Sequence, residues 1–228
     1  MPRQGKKKMG LNKSTGNMYE FVTHTWNTIK GACPHDCSYC YMKRWGKLNP
    51  VRFDEKELKT DLGAGNFIFV GSSCDMFADD IPAGWINETL RYCSGFDNRY
   101  LFQSKNPAGM YKYLHDSLNA VVCTTIETNR WYPDIMRNSP RPEERAEGML
   151  AQDFPKYVTI EPILDFDLEE LVNLIEVIEP EQVNIGADSG NNGLPEPGIE
   201  KVMALIERLK AFTTISEKRN LQRLMKAS

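Results

Sequence analysis

No apolar run in the 228 residues approaches the ~20 needed to cross a bilayer, and no targeting segment is evident. Neither a membrane-spanning nor an exported chain is therefore expected. No internal repeat and no low-complexity segment stands out, so nothing points away from ordinary globular structure. There is no large excess of either charge: 28 basic residues against 31 acidic ones leave a net charge of -3, and the whole chain does not advertise nucleic-acid binding. The length suits one domain with a buried core but is short for a closed eight-unit barrel. Six cysteines without an export signal imply a reducing, cytoplasmic setting, where disulfides do not persist.

The basic residues that are present are unevenly placed. Arg3, Lys6, Lys7, Lys8 and Lys13 crowd the start beside Gly5, Gly10 and Gly16. Residues 1–18 read as a basic, flexible arm, either a solvated terminus or an electrostatic contact for phosphates. Residues 19–215 read as the folded domain and residues 216–228 as a basic tail.

Within that domain the densest chemistry is Cys33-Pro34-His35-Asp36-Cys37-Ser38-Tyr39-Cys40, three cysteines separated by three and then two residues. At ~3.3 Å per extended residue the outer sulfurs converge only if the segment curls, and Gly31 and Pro34 suit a loop. Three thiolates can hold three irons of a [4Fe-4S] cluster and leave the fourth iron open. A zinc site with His35 as fourth ligand competes, although common structural zinc sites use two ligand pairs separated by a longer loop. Inert thiols are a further alternative, and a disulfide is disfavoured because three clustered cysteines cannot all pair.

Apolar runs and helical periodicity place the remaining elements. Strands are expected at residues 19–29, 66–72, 99–103, 120–126, 157–160 and 182–186. Helices are expected at 39–47, 81–93, 107–114, 167–178 and 198–211, with a final strand or turn at 213–215. Residues 132–145, with three prolines among charges, read as a mobile loop facing the substrate or as an ordinary surface connection. Alternation of this kind fits parallel βα units. The expected fold is α/β, a partial (βα)6 TIM-like barrel with its active site at the C-terminal ends of the strands.

The flanking motifs carry a resemblance. Thr25-Trp26-Asn27, the CxxxCxxC loop with an aromatic before its last cysteine, Ser73-Cys74-Asp75-Met76-Phe77, Gln103-Ser104-Lys105-Asn106-Pro107, Ile160-Glu161-Pro162 and Gly186-Ala187-Asp188-Ser189-Gly190 follow one another in order. Over about residues 20–190 this resembles a phage-associated radical S-adenosylmethionine (SAM) family of unassigned function, distantly similar to spore photoproduct lyase. The resemblance implies a radical SAM core in which Cys33, Cys37 and Cys40 hold the cluster. It also implies that Tyr39 lies against the adenine of SAM, and that Ser73 and Asp75 receive its amino group where the superfamily often has Gly-Gly-Glu. The polar set after the 120–126 strand suits a cofactor with ribose hydroxyls and a carboxylate: Thr125, Glu127 or Asn129 for hydroxyls, Arg130 for the carboxylate. Glu161 is expected to face the same pocket. Cys74 and Lys105 are the candidates for a catalytic role.

In this family reduced cluster and SAM yield methionine and a 5'-deoxyadenosyl radical that abstracts hydrogen from a substrate. Spore photoproduct lyase acts on a thymine dimer in DNA, and phages carry modified bases, so a nucleobase or nucleotide is the first candidate substrate and a small molecule the second. The reaction class (lyase, isomerase or modifying transferase) stays open. An external electron donor of flavodoxin or ferredoxin type is implied. The rival reading is a non-enzymatic zinc-knuckle module that binds nucleic acid or protein.

Overall fold

Short apolar runs that alternate with amphipathic stretches call for a parallel sheet wound with helices. The computed structural model, which describes residues 10–225, contains one. Its strands are β1 (Asn12–Lys13), β2 (His24–Trp26), β3 (Ile29–Lys30), β4 (Arg52–Phe53), β5 (Phe67–Val70), β6 (Arg99–Gln103), β7 (Ala120–Thr125), β8 (Lys156–Ile160), β9 (Gln182–Ile185) and β10 (Thr214–Glu217). Its helices are α1 (Ala83–Cys93), α2 (Pro107–Tyr111), α3 (Pro133–Met136), α4 (Pro142–Leu150), α5 (Leu168–Glu176), α6 (Ile199–Leu209) and α7 (Gln222–Met225). Eight strands form one sheet in the order β1-β2-β5-β6-β7-β8-β9-β10. From β2 onward all neighbours are parallel, and β1 runs antiparallel at one edge. The two outer strands do not pair with each other, so the α/β sheet is an open, partial TIM-like barrel. Among the described residues no helix is long and apolar enough to cross a membrane.

Strand alternation explains how the two faces are covered. Ile68 and Val70, Tyr100 and Phe102, and Val122 share one core with the helix stripes, including Leu171, Val172 and Ile175 of α5 and Val202, Leu205, Ile206 and Leu209 of α6. Each such side chain, fully buried, contributes about 1.5–3 kcal/mol of transfer free energy. The opposite residues, Phe69, Leu101, Val121, Cys123 and Tyr157, face a second core built with Tyr19 and Val22, against which Met18 and Phe21 pack. Residues 18–22 therefore fill the concave side of the sheet, and the barrel interior is packed rather than hollow.

Several expectations are corrected here. The 19–29 strand is broken, because Tyr19 and Val22 are spent on the interior and only His24–Trp26 pairs with β5. Ile29 and Lys30 leave the sheet and pair with β4, a ribbon that the two-residue run Arg52–Phe53 gave no pattern to reveal. The expected helix at 39–47 shrinks to a single 3₁₀ turn, Tyr41–Trp45, closed by Gly46 at φ 87°, so Cys40 caps its start and Cys37 stands ahead of it. Residues 132–145 are not a plain loop: they form α3 and begin α4, with Met136, Ser139 and Arg145 buried. The final strand exists as β10, raising the parallel strands from six to seven. Of the proposed N-terminal arm, residues 1–9 lie outside the described residues, while Asn12 and Lys13 join the sheet. Of the proposed tail, 226–228 lie outside them and Ser216 and Glu217 complete β10.

The cysteine loop leaves β3 through a tight neck. Gly31 has φ 117°, and a Cβ there would stand 2.5 Å from the Pro50 carbonyl oxygen and 2.8 Å from that of Asn49. Beside it, the Ala32 amide donates to the Asn49 carbonyl at 2.8 Å. Gly31→Ala should therefore destabilise the protein by at least the ~1–3 kcal/mol of a strained backbone residue. Urea unfolding measures this, and an unchanged midpoint would remove the neck from the account.

Candidate active site

Parallel strands deliver their exits to one side of a sheet, which is where α/β proteins build sites. Here the residues after β5 (Ser72, Ser73, Cys74, Asp75), at and after β6 (Gln103, Ser104, Lys105), on β7 and β8 (Thr125, Thr159), after β8 (Glu161, Pro162), after β9 (Ser189) and after β10 (Lys218) line one cavity of about 790 Å³. Cys33, Cys37, Tyr39 and Cys40 form another wall of it. All six cysteines are unpaired.

The cysteine loop has almost no regular structure of its own, so its shape is imposed by neighbours. Ser38 N–H donates to the Ile135 carbonyl at 2.9 Å, and Asn138 N–H and Nδ2 donate to the His35 and Pro34 carbonyls, each at 3.1 Å. Arg137 and Lys43 both pair with Asp36. The segment that looked like a linker is thus a cradle for the loop. On the other side, His35 Nε2 lies 2.9 Å from Asp75 Oδ2. Burial alone would lower the His35 pKa, and the Asp75 carboxylate overcomes this and raises it.

Asp75 is held at both carboxylate oxygens. Oδ2 also accepts from Ser104 Oγ at 3.0 Å and Lys105 N–H at 2.8 Å, and Oδ1 accepts from Phe77 N–H at 3.0 Å. It ties the loop to the ends of β5 and β6, and it also lines the cavity. Ser73 differs: its amide donates to Asn27 Oδ1 at 3.0 Å, while its buried Oγ has no partner. A buried hydroxyl left unpaired on a cavity wall fits a bound ligand.

Beneath Tyr39 lies a buried charge cluster. Glu127 and Arg145 are both fully buried, and Arg145 Nη1 donates to Glu127 Oε2 at 2.6 Å and to the Thr125 carbonyl at 2.8 Å. The other Arg145 donors reach Ser139 Oγ at 2.8 Å and the Pro140 carbonyl at 2.7 Å. Tyr39 donates its hydroxyl to Glu127 Oε1, and Lys105 Nζ stands 3.4 Å from the same oxygen. Burial would push the Glu127 carboxyl up, but Arg145 and then Lys105 hold it down at about 2. For Lys105 burial acts downward and Glu127 outweighs it, so the ammonium stays charged at the cavity wall. Burial, followed by Glu127, raises the Tyr39 phenol and keeps it a donor.

Two thiols form a further pair. Cys33 carries a pKa lowered to about 6, first because it accepts a hydrogen bond from Cys74, against the opposing effect of burial. That same bond, with burial, raises Cys74. Cys37 is raised by burial, with Lys105 acting in the opposite direction.

Not every expected residue converges on the cavity. Asn129 and Arg130 lie outside its lining: Arg130 pairs with Asp165 and, through Nε at 2.8 Å, with Asp167, to which Asn129 Nδ2 also donates at 3.3 Å. Together they tie the turn before α5. Thr125 is on the wall, its Oγ1 accepting from Gln103 Nε2 at 2.9 Å. Glu161 also faces the cavity, held by Lys218, by Asn17 Nδ2 at 2.7 Å and by Asn220 Nδ2 at 2.7 Å. Tyr19 OH bridges Gln103 at 2.8 Å and Thr159 at 2.7 Å below it.

The thiol donor set and the unpaired Ser73 hydroxyl fit an iron-sulfur cluster with a bound small cofactor. His35, the fourth ligand of the zinc alternative, lies against Asp75 through Nε2, and among the described residues no three His, Cys, Asp or Glu side chains, the three loop cysteines included, are gathered around a single ion position.

Arg145, Asn17 and Lys218 were missed by sequence reasoning. Arg145 had a signal, since it lies on the buried stripe Pro142, Arg145, Ala146, Met149 of α4. A charge on the apolar face of a helix marks a buried partner. Asn17 and Lys218 carried none, because only tertiary closure brings them to Glu161.

Arg145→Met should cost about 3–5 kcal/mol in urea unfolding, because it strands the buried Glu127 carboxylate, and adding Glu127→Gln should recover part of that loss. Equal costs for the single and double variants would contradict the pairing. In cluster-free protein, alkylation of Cys33 should follow a pH profile with its midpoint near 6. Cys74→Ala should move that midpoint upward, and an unmoved profile would show that Cys74 does not hold the Cys33 thiolate.

No family model matches the chain and no curated protein resembles it in sequence. Solved structures do match. Spore photoproduct lyase complexed with dinucleoside spore photoproduct aligns with TM-score 0.67 over 89% of this chain and 78% of that one, at 10% identity. A cysteine-to-alanine variant with the same ligand aligns with TM-score 0.67 over 91% and 80%, also at 10% identity. A doubly substituted variant with bound AdoMet and dinucleoside spore photoproduct aligns with TM-score 0.57 over 90% and 66%, at 11% identity. At such identity the likeness speaks for architecture: the chain has the fold of spore photoproduct lyase, the one that the radical SAM resemblance implies.

Proposed function

We propose that this protein is a radical SAM enzyme that acts on a nucleobase or nucleotide in a reducing, cytoplasmic setting. The observation that carries the reading is the meeting of Cys33, Cys37 and Cys40 with polar strand exits on one cavity, in the fold of an enzyme solved with AdoMet and a dinucleoside. Cys33, Cys37 and Cys40 would hold a [4Fe-4S] cluster. Tyr39, fixed by Glu127, would lie beside SAM, and the unpaired Ser73 hydroxyl would receive one of its polar groups. Bound together, cluster and SAM would supply radical chemistry, a 5'-deoxyadenosyl radical for hydrogen abstraction from substrate, with the electron coming from an external donor of flavodoxin or ferredoxin type.

The chain's own part is positioning and electrostatics. Lys105 and Arg145 place two cations near Cys37, against one carboxylate, Glu127. That balance favours thiolate at a buried position where desolvation opposes it. The Lys105 ammonium is also placed to meet a carboxylate or phosphate in the cavity. Asp75 positions the loop through His35 and the β6 exit, and from the cavity wall it would, with Ser73, receive the amino group of SAM. Residues 18–22 seal the barrel interior and keep water from reaching the site through it.

Anaerobic reconstitution with iron and sulfide, dithionite reduction and addition of SAM should give a brown protein that forms 5'-deoxyadenosine and methionine. Cys33→Ala, Cys37→Ala and Cys40→Ala should each abolish both the colour and the cleavage. A colourless protein that carries zinc, or full cleavage by any of the three variants, would sink the reading.

A further inference from the structure

The 3₁₀ turn Tyr41–Trp45 begins at Cys40, so its place beside the cavity is set by the cysteine loop itself. None of its residues is buried. Trp45 is 71% exposed, the most exposed of the large apolar side chains among the described residues, and Tyr41 is 43% exposed. An indole so placed has no packing reason to be there, and exposed aromatic surface beside a cavity is the usual mark of an interaction site. The Arg44 guanidinium lies over both rings, 5.5 Å from the Tyr41 centroid and 5.2 Å from that of Trp45. Tyr41 is pinned in turn by its hydroxyl, which donates to the Ser72 carbonyl at 2.9 Å. The three planar groups form a short stack in which Tyr41 and Arg44, like Lys43 and Lys47, line the cavity, while Trp45 stands just outside its lining at the end of the same turn.

The local charge is the opposite of the global one. Lys43 and Arg137 share the single carboxylate of Asp36, while Arg44 and Lys47 have no carboxylate partner among the described residues. The turn and its flank thus carry Lys43, Arg44 and Lys47 against the one carboxylate of Asp36, which Arg137 shares, on a chain whose net charge is -3. A second plate of the same kind stands on the segment that cradles the loop, where Arg141 lies over Trp131 at 5.3 Å.

We propose that this lip binds a single-stranded polynucleotide and delivers one of its bases into the cavity. The proposal deepens, and rests on, the radical SAM reading. Planar aromatic and guanidinium faces interleaved with free cations match alternating bases and phosphates, the combination by which proteins hold single strands without reading sequence. An acidic protein partner would satisfy the cations and leave the rings unused. A duplex fits less well, because a base that reacts within a cavity has to leave its stack, and a chain of net negative charge lacks the extended field that grips duplex DNA.

The test uses the full, cluster-loaded chain and a fluorescein-labelled oligodeoxythymidylate of about twelve nucleotides, a length on the order of one single-strand site, with anisotropy read at low and higher salt. The wild type should bind, and more weakly as salt rises. Trp45→Ala should weaken binding about tenfold, the order expected for one lost stacked base, and Trp45→Phe should keep most of the affinity. Arg44→Glu should weaken binding and flatten its salt dependence. Absence of binding by the wild type at low salt, or unchanged affinity in both Trp45→Ala and Arg44→Glu, would overturn the proposal. So would a result in which only an acidic flavodoxin depends on these side chains. SAM cleavage by the wild type, measured on the same preparation without oligonucleotide, tests the radical SAM reading separately, so either can fail without the other.

Discussion

A carboxylate with no access to water holds the cavity-bearing face of this protein in register. Glu127 ends the β7 exit, receives Arg145 from α4, accepts the hydroxyl of Tyr39 from the cysteine loop and stands beside Lys105 from the β6 exit. Four segments far apart in sequence are thereby tied to one pair of oxygens. A buried ion pair costs much desolvation and is seldom the most stable solution. What it supplies in return is directional: a guanidinium with four of its five N–H donors hydrogen-bonded restricts the placement of the helix that bears it. The irregular loop above inherits that placement through Tyr39.

The loop needs this external order because it has so little of its own. Two short turns link Cys33 to Asp36 and Cys37 to Cys40, and the rest of its support comes from Asp75 at His35, from residues 135–138, from Lys43 at Asp36 and from Glu127 at Tyr39. Loops positioned by a rigid scaffold are common carriers of function. Here the scaffold reaches the loop from three directions, and the thiols sit where those supports meet.

Much of this was legible in the chain. The strands at 99–103, 120–125 and 156–160 and the helices α1, α5 and α6 follow their apolar periodicity to within two or three residues, because their burial is the core. The wall of the cavity was legible for the same reason, since a polar residue that closes an apolar strand has a strand exit as its place. The failures share a cause. Tyr19 and Val22 look like strand residues because burial demands the same side chains in a plug as in a sheet, and residues 132–145 look like a loop because prolines and charges conceal a buried arginine. Asn129 and Arg130, read as cofactor ligands, bind Asp165 and Asp167 instead, a pairing 35 or more residues away that composition does not announce.

Glu161 is held by Asn17 from near the beginning of the described chain and by Lys218 and Asn220 from near its end. Lys218 also lies over the Tyr19 ring at 4.5 Å, joining the same two regions again. One wall of the cavity is therefore a clasp between the two flanks of the fold, whereas the cysteine wall is held by segments between Cys33 and Arg145. Loss of either flank would loosen the Glu161 wall and leave the Glu127 cluster as it stands.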